Sequence, residues 1–283
     1  MTLQNVSDTA KWVAEYRAME TDRADAIFRD PYARRLAGPD GARIVASMKN
    51  GTRFGWPMIV RTAVFDEIIL ERVRSAGVDL VLNLAAGLDA RPWRLDLPAS
   101  LRWIDVDLPG ILGHKVDVLK EERPRCRYES VMLDLTDRPR RQALFAQLGR
   151  ESTRTLIVTE GLLIYLDSGE VASLAGDLAS QPSFRWWLID LASPRLLKWS
   201  ERAWGQSLRQ ANAPFKFGPK ENTAFFEPYG WSEAAYHSTM DGARRLNRGM
   251  RGMKFWQFVM RFYPKRWREE MARFSGQVLL ERV

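Results

Sequence analysis

The sequence predicts a doubly wound, mainly parallel α/β sheet of seven strands with helices on both faces. Short apolar runs alternate with helical stretches, the pattern of strands joined by crossovers. Most runs are near-continuous hydrophobics, as expected of strands buried on both faces. At 283 residues, 46% hydrophobic and 28% charged, the chain has the composition of one large globular domain rather than a disordered or fibrous protein.

The elements follow in order. Ser7-Asp8-Thr9 precedes Ala10, Val13, Ala14, Arg17 and Ala18 at helical spacing, so a capped helix starts there. Asp30-Pro31 begins a second, short helix through Ala33 and Leu36 that Gly38-Pro39 should stop. A third starts at Pro57, points Ile59, Val60, Val64, Ile68 and Ile69 at a core, and ends before Gly77. The first strand is the apolar run Val78 to Leu84, bounded by Gly77 and Gly87. Further strands are expected at Leu101 to Val106, Tyr128 to Leu133, Leu156 to Thr159 and Phe184 to Leu191, with helices such as Arg140 to Leu148 and Ser168 to Leu178 between them. Glu233 to Ser238 is strand-like, and Gly276 to Glu281 is the last strand. These readings divide one domain into a helical cap at 1–77, a ligand-binding core at 78–192, an insertion at 193–230 that forms a lid or substrate wall, and a C-terminal part of the sheet at 231–283. The insertion carries Trp199, Trp204, Phe215, Phe217, Phe225 and Phe226, which suggests an apolar ligand.

Composition excludes several classes. Cys126 is the sole cysteine, so no intrachain disulfide forms, and with only His114 and His237 a Cys/His metal site is not expected. Charged residues crowd the N-terminus where a signal peptide would be apolar, and no run is long enough to span a membrane, so a cytoplasmic protein is expected. The net charge of +8 has a local origin. Arg244 to Arg268 holds nine basic residues and no acidic one; without it the chain has 34 basic against 35 acidic residues. Phe255, Trp256, Phe258, Phe262, Tyr263 and Trp267 interleave there. Such a segment suits an anionic membrane surface, the wall of an apolar substrate channel or an ordinary edge helix; basic residues among aromatics also suit nucleic acid, but a nucleic-acid partner is not expected.

Ligands of an open parallel sheet bind beyond the carboxyl ends of its strands. After the first strand comes a turn of small residues, Asn83 to Arg91, that lets backbone approach a ligand. Asp107 ends the second strand, where two carboxylate oxygens can accept from both hydroxyls of a ribose. Asp134 and Leu135 follow the third strand, suited to an adenine edge, and Glu160-Gly161 follows the fourth.

Together the run NLAAGLDARPWRL (Asn83 to Leu95), WIDVDLP (Trp103 to Pro109), Asp134-Leu135 and EGLLIYL (Glu160 to Leu166), preceded by Arg61, resemble the leucine carboxyl methyltransferase family, a branch of the class I S-adenosylmethionine-dependent O-methyltransferases with a Rossmann-like fold. The resemblance implies S-adenosyl-L-methionine as cofactor and a small-molecule methyl acceptor. It implies Arg61 on the methionyl carboxylate, Ala85 and Gly87 in the loop under the methionyl part, and Asp107 on the ribose. Asp134 and Leu135 would lie beside the adenine, Glu160 near the amino group, and Arg17 would add a further basic contact. Ala85 departs from the family's glycine: φ there should be negative, so that alanine costs nothing, or the backbone sits slightly farther from the cofactor.

Rival readings leave marks that are absent. A nicotinamide dehydrogenase needs Gly-x-Gly-x-x-Gly where this chain has Ala85-x-Gly87-x-x-Ala90. An enzyme methylating base amino groups would resemble its kin in an Asp/Asn-Pro-Pro-aromatic loop after the fourth strand, where this chain has Glu160-Gly161-Leu162-Leu163. A cofactor-binding protein without catalysis stays open. Methyl transfer from a sulfonium needs positioning rather than a metal, and a carboxylate acceptor, already ionised, needs no base. A hydroxyl acceptor would benefit from one, for which Tyr165, His237 and Glu160 are candidates.

Overall fold

A computed structural model describes residues 6–48, 51–210, 214–250, 252 and 262–283. Its strands are β1 (Leu80–Leu84), β2 (Arg102–Asp107), β3 (Arg127–Met132), β4 (Thr155–Thr159), β5 (Phe184–Ala192), β6 (Trp231–Ser238) and β7 (Ser275–Arg282). They form one seven-stranded sheet in the order β3-β2-β1-β4-β5-β7-β6. The first five run parallel, and β7 lies antiparallel between β5 and β6. From β1 the chain winds outward to β3 and returns to β4 on the other side of β1, so the strand order reverses between β1 and β4. Ligand crevices open at such a reversal.

The helices are α1 (Val6–Thr21), α2 (Ala33–Ser47), α3 (Trp56–Ser75), α4 (Arg91–Arg94), α5 (Pro109–Leu119), α6 (Arg138–Glu151), α7 (Ser168–Ala179), α8 (Pro194–Gln210), α9 (Thr239–Arg245) and α10 (Lys265–Ala272). Local chemistry sets several ends. Pro57 occupies the first turn of α3 and Arg72 and Arg74 its last, complementing the helix dipole. A capping box of Asp167 and Glu170 starts α7.

One face of the sheet carries Leu82, Ile104, Ile157 and Trp187 under α6 and α7 through Phe145, Leu148, Val171 and Leu174. The other carries Val81, Trp103, Leu156 and Leu188 under α3 through Val60, Val64, Phe65 and Ile69. Every residue of β1 and β4 is buried, which explains their unbroken apolar runs. β3 is an edge strand with exposed and half-buried residues, so burial on both faces does not extend to it.

One expectation is corrected. Gly38 (φ 59°, ψ −170°) with Pro39 breaks the second helix without stopping it, and helix resumes to Ser47 because Ile44 and Val45 have a core to reach. The segment after β5 opens with the long helix α8 and later forms a 3₁₀ helix, Asn222–Tyr229. Phe217, Phe225 and Phe226 of that segment pack edge to face with one another, and Phe226 packs on Trp187, so this part of the insertion is core.

Candidate active site

A cavity of about 730 Å³ opens beyond the carboxyl ends of β1, β2, β4 and β5. Its two halves differ in chemistry.

The charged half begins at the loop after β1. Gly87, at φ 51°, turns its N–H onto the Asp107 carboxylate at 2.6 Å, and the N–H of Leu108 donates to the other carboxylate oxygen at 2.7 Å. Burial raises the Asp107 pKa, against the pull of those two amides. Beneath the loop, Asp105 and Lys115 form an ion pair at 2.7 Å with neither side chain exposed, and Asn83 donates to Asp105 at 2.9 Å.

Arg61 of α3 reaches over the end of the sheet. It donates from Nε to Glu160 and from Nη1 to Asp190, each at 3.0 Å. The second Glu160 oxygen pairs with Arg91 at 2.8 Å, and Arg91 also holds Asp89 at 2.8 Å and Asp66 at 2.6 Å. Burial pushes the Glu160 carboxyl up, but Arg91 and Arg61 outweigh it and hold the group below its usual range. Asp89 shows the same contest: against burial, Arg91, Lys115, Arg94 and Arg17 hold its pKa at about 2. Asp190 accepts a second bond from the Gly161 N–H at 2.7 Å. Gly161 stands at φ 70°, and a Cβ there would come within 3.1 Å of Arg61 Nη1, so both backbone and space call for glycine.

The other half is apolar. Trp56 and Met58 from the start of α3, Leu196 and Trp199 from α8, Phe215 and Phe217 beyond it, and Met271 and Phe274 line it. The Ile164 carbonyl accepts from the N–H of Lys216 at 2.7 Å, tying this wall to the loop after β4. Tyr165 packs its ring edge against Phe215 at 5.5 Å, and burial raises its pKa.

Arg17, Arg61, Ala85, Gly87, Asp107, Asp134, Leu135, Glu160 and Tyr165 all line the cavity. Arg17 has structural work as well, donating to Asp30 at 2.8 Å and to the Leu88 carbonyl at 2.6 Å. Asp134 accepts from the Thr136 N–H and hydroxyl at 2.9 and 2.7 Å. His237 is not brought to the site: it lies exposed on β6, outside the cavity lining. Ala85 is corrected. Its φ is +52°, so the alanine sits in the left-handed region and carries strain rather than costing nothing.

Of the aromatics expected in a substrate wall, Trp199, Phe215 and Phe217 line the cavity; the Trp204 side chain lies outside the described residues. In the basic segment, Arg248 is buried and pairs with Glu20 at 2.8 Å, Arg245 pairs with Glu67 at 2.5 Å, Arg244 with Asp241 at 3.0 Å, and Lys265 with Glu269 at 3.7 Å. These four are committed within the chain, while Arg251, Lys254, Phe255, Trp256, Phe258 and Arg261 lie outside the described residues. Among the described residues no helix is long and apolar enough to cross a membrane, and no group of three or more His, Cys, Asp or Glu is placed to hold a metal ion.

Sequence reasoning missed Asp190 and the roles of Asp66, Asp89 and Arg91. Asp190 had a usable signal, an acid near the carboxyl end of the fifth strand, the criterion that found Asp107.

A solved structure from Thermobifida fusca, described as a candidate methyltransferase, matches with a TM-score of 0.59 at 14% identity, over 99% of this chain and 95% of that one, a likeness of fold. In Streptomyces avermitilis, a protein named as a candidate S-adenosyl-L-methionine-dependent methyltransferase is 32% identical over 182 residues, 61% of this chain and 64% of that protein. A similarly named protein of Frankia alni is 36% identical over 177 residues, 59% of this chain and 61% of that protein. The matched region thus spans less than two thirds of either relative. A family profile described as leucine carboxyl methyltransferase matches residues 10–179, more than half of the chain. The chain belongs to the leucine carboxyl methyltransferase family.

Proposed function

We propose that this chain is an S-adenosyl-L-methionine-dependent O-methyltransferase acting on a carboxylate or hydroxyl of a small apolar molecule. The charge balance of the cavity carries the reading. Its described lining holds the cations Arg17, Arg61 and Arg91 against the carboxylates Asp89, Asp107, Asp134, Glu160 and Asp190, an excess of two negative charges. That half suits a ligand of net positive charge, and a sulfonium bearing an amino acid has two positive groups and one carboxylate.

The residues fit such a group. Each Asp107 oxygen accepts one backbone N–H and keeps a lone pair for a ribose hydroxyl. Arg61 would take the amino-acid carboxylate, Glu160 the amino group, Asp134 and Leu135 the adenine side, and the Ala85 to Gly87 loop the backbone between them. When bound, the cofactor supplies an electrophilic methyl group. The chain's own contribution is to hold an oxygen nucleophile in line with that methyl and to keep water out, a role for the apolar walls. A carboxylate acceptor would enter ionised. For a hydroxyl acceptor the O–H proton must leave as the O–C bond forms, and Glu160 at the cavity wall is the carboxylate to receive it, whereas Tyr165, its pKa raised by burial, stays protonated near neutral pH and donates a hydrogen bond.

Calorimetric titration with S-adenosylhomocysteine tests the binding half, and label transfer from methyl-labelled cofactor to a panel of apolar carboxylic acids, alcohols and phenols tests the chemistry. Saturable binding and an extractable labelled product are expected. No binding of either adenosyl compound would overturn the reading.

A further inference from the structure

We propose that Gln277, braced by Thr239, is the polar anchor of the acceptor subsite, and that the acceptor meets it with an uncharged hydroxyl rather than a carboxylate. This deepens the methyl-transfer reading and rests on it.

Gln277 lies on β7 in register with Asp190 of β5, so their Cβ atoms are about 5 Å apart on one face of the sheet. It stands two strands from β4, roughly 10 Å away, and so outside the reach of the loops that would hold a nucleoside. Only 2% of it is exposed, yet it lines the cavity. Its Nε2 donates to the Thr239 hydroxyl at 3.1 Å, while its carbonyl Oε1 is buried with no hydrogen-bond partner among the described residues. A buried carbonyl left unpaired is costly, and such groups in native proteins commonly await a ligand or water. On its other side the register pairs it with His237 of β6, exposed and outside the cavity lining, while Met240, Met271 and Phe274 of that lining offer a polar ligand group no more than weak sulfur contacts.

The chemistry of that site selects its ligand. A carbonyl oxygen accepts, so the ligand must donate; a carboxylate has no proton to give. Asp190 beside it adds a negative charge, and the Arg61 guanidinium, which bridges Asp190 and Glu160, is the group assigned above to the cofactor's own carboxylate. A hydroxyl at the end of an apolar body satisfies Oε1 without bringing a second anion into a lining already rich in carboxylates.

The test uses the full chain and three matched probes, 1-octanol, octyl methyl ether and octanoate, titrated calorimetrically with and without saturating S-adenosylhomocysteine. The wild type should bind octanol about tenfold more tightly than the ether or the octanoate, the worth of one buried hydrogen bond. Gln277→Met, close in shape, should reduce that preference to within about twofold while keeping the affinity for the ether. Thr239→Val, which frees the amide without removing it, should lower the preference part way; it gives the same reading should Gln277→Met fail to fold, which thermal unfolding reports. An unchanged preference in Gln277→Met, ether or octanoate binding at least as tightly as octanol in the wild type, or no octanol binding at all overturns the assignment. The ether outcome also identifies a reversed amide that presents N–H instead. Failure of the methyl-transfer reading shows separately, as absent S-adenosylhomocysteine binding with the octanol preference intact.

Discussion

The two halves of the cavity achieve order by opposite means. At the β1, β2 and β4 ends nearly every charged group has a named partner: Arg61 bridges Glu160 and Asp190, Arg91 bridges Glu160, Asp89 and Asp66, and Lys115 sits on Asp105. Geometry there is fixed by directed bonds in a dry setting, so removing one group strands another. On the α8 and β7 side, shape comes from large apolar surfaces, and Gln277 Oε1 has no partner among the described residues. On the proposed reading, the first half would recognise one ligand in one pose, and the second would admit a class of ligands and sort them by a single polar contact.

The sharpest way to break this contrast is Lys115→Met, which leaves the fully buried Asp105 without its cation. Unfolding in urea should show a loss of about 3–5 kcal/mol. If the loss is under about 1 kcal/mol, directed pairing does not hold the charged half together. Next comes Arg61→Ala, which takes from Asp190 its cation and from Glu160 one of its two, and removes the proposed carboxylate partner. S-adenosylhomocysteine affinity should fall by about a hundredfold, consistent with losing a bidentate charged contact, while octanol affinity changes little. Equal losses for both ligands would erase the distinction between the halves.

A pH experiment sharpens it further. Asp89 has a folded pKa of about 2, below its ordinary value of 3.8, so it contributes stability above that ordinary value and loses it as pH falls toward the folded one. Wild type should exceed Asp89→Asn by about 2 kcal/mol near neutral pH. The gap should close as acid protonates the carboxyl, followed by urea midpoints across the range. The smallest effect is expected at Ala85→Gly, which relieves a positive φ against the flexibility glycine adds to the unfolded chain. A stabilisation of about 0.5–1 kcal/mol should appear as a higher Tm.

What the sequence disclosed divides along physical lines. β1 and β4 were legible because burial on both faces leaves an unbroken apolar run, and Asp107 and Glu160 because position after a strand is itself a local property. Asp89 and Arg91 stood inside a quoted motif, yet their work depends on α3 bringing Asp66 across, which no local pattern encodes. Asp190 was legible in principle, as an acid near the carboxyl end of the fifth strand, but its pairing with Arg61 of α3 is a long-range contact that no local pattern encodes. Arg248 lay in a run of positive charge, and only the fold could bring Glu20 to it. Ala85 misled for a simpler reason: alanine gives no sign of a left-handed backbone where glycine would.

The position of β7 in the sheet has a consequence for biogenesis. β5 is complete at Ala192, but its antiparallel neighbour begins only at Ser275, after α8, the 3₁₀ helix, β6 and α9 have been made. During synthesis the β1–β5 half of the sheet can assemble while β5 still presents a bare edge, the kind of surface that captures other chains. The last strand threads between β5 and β6, seals that edge and delivers Gln277 in one event. The floor that would discriminate between acceptors is therefore the last of these strands to be synthesised, and slow docking of β7 would yield a protein able to hold a nucleoside before it can choose what to modify.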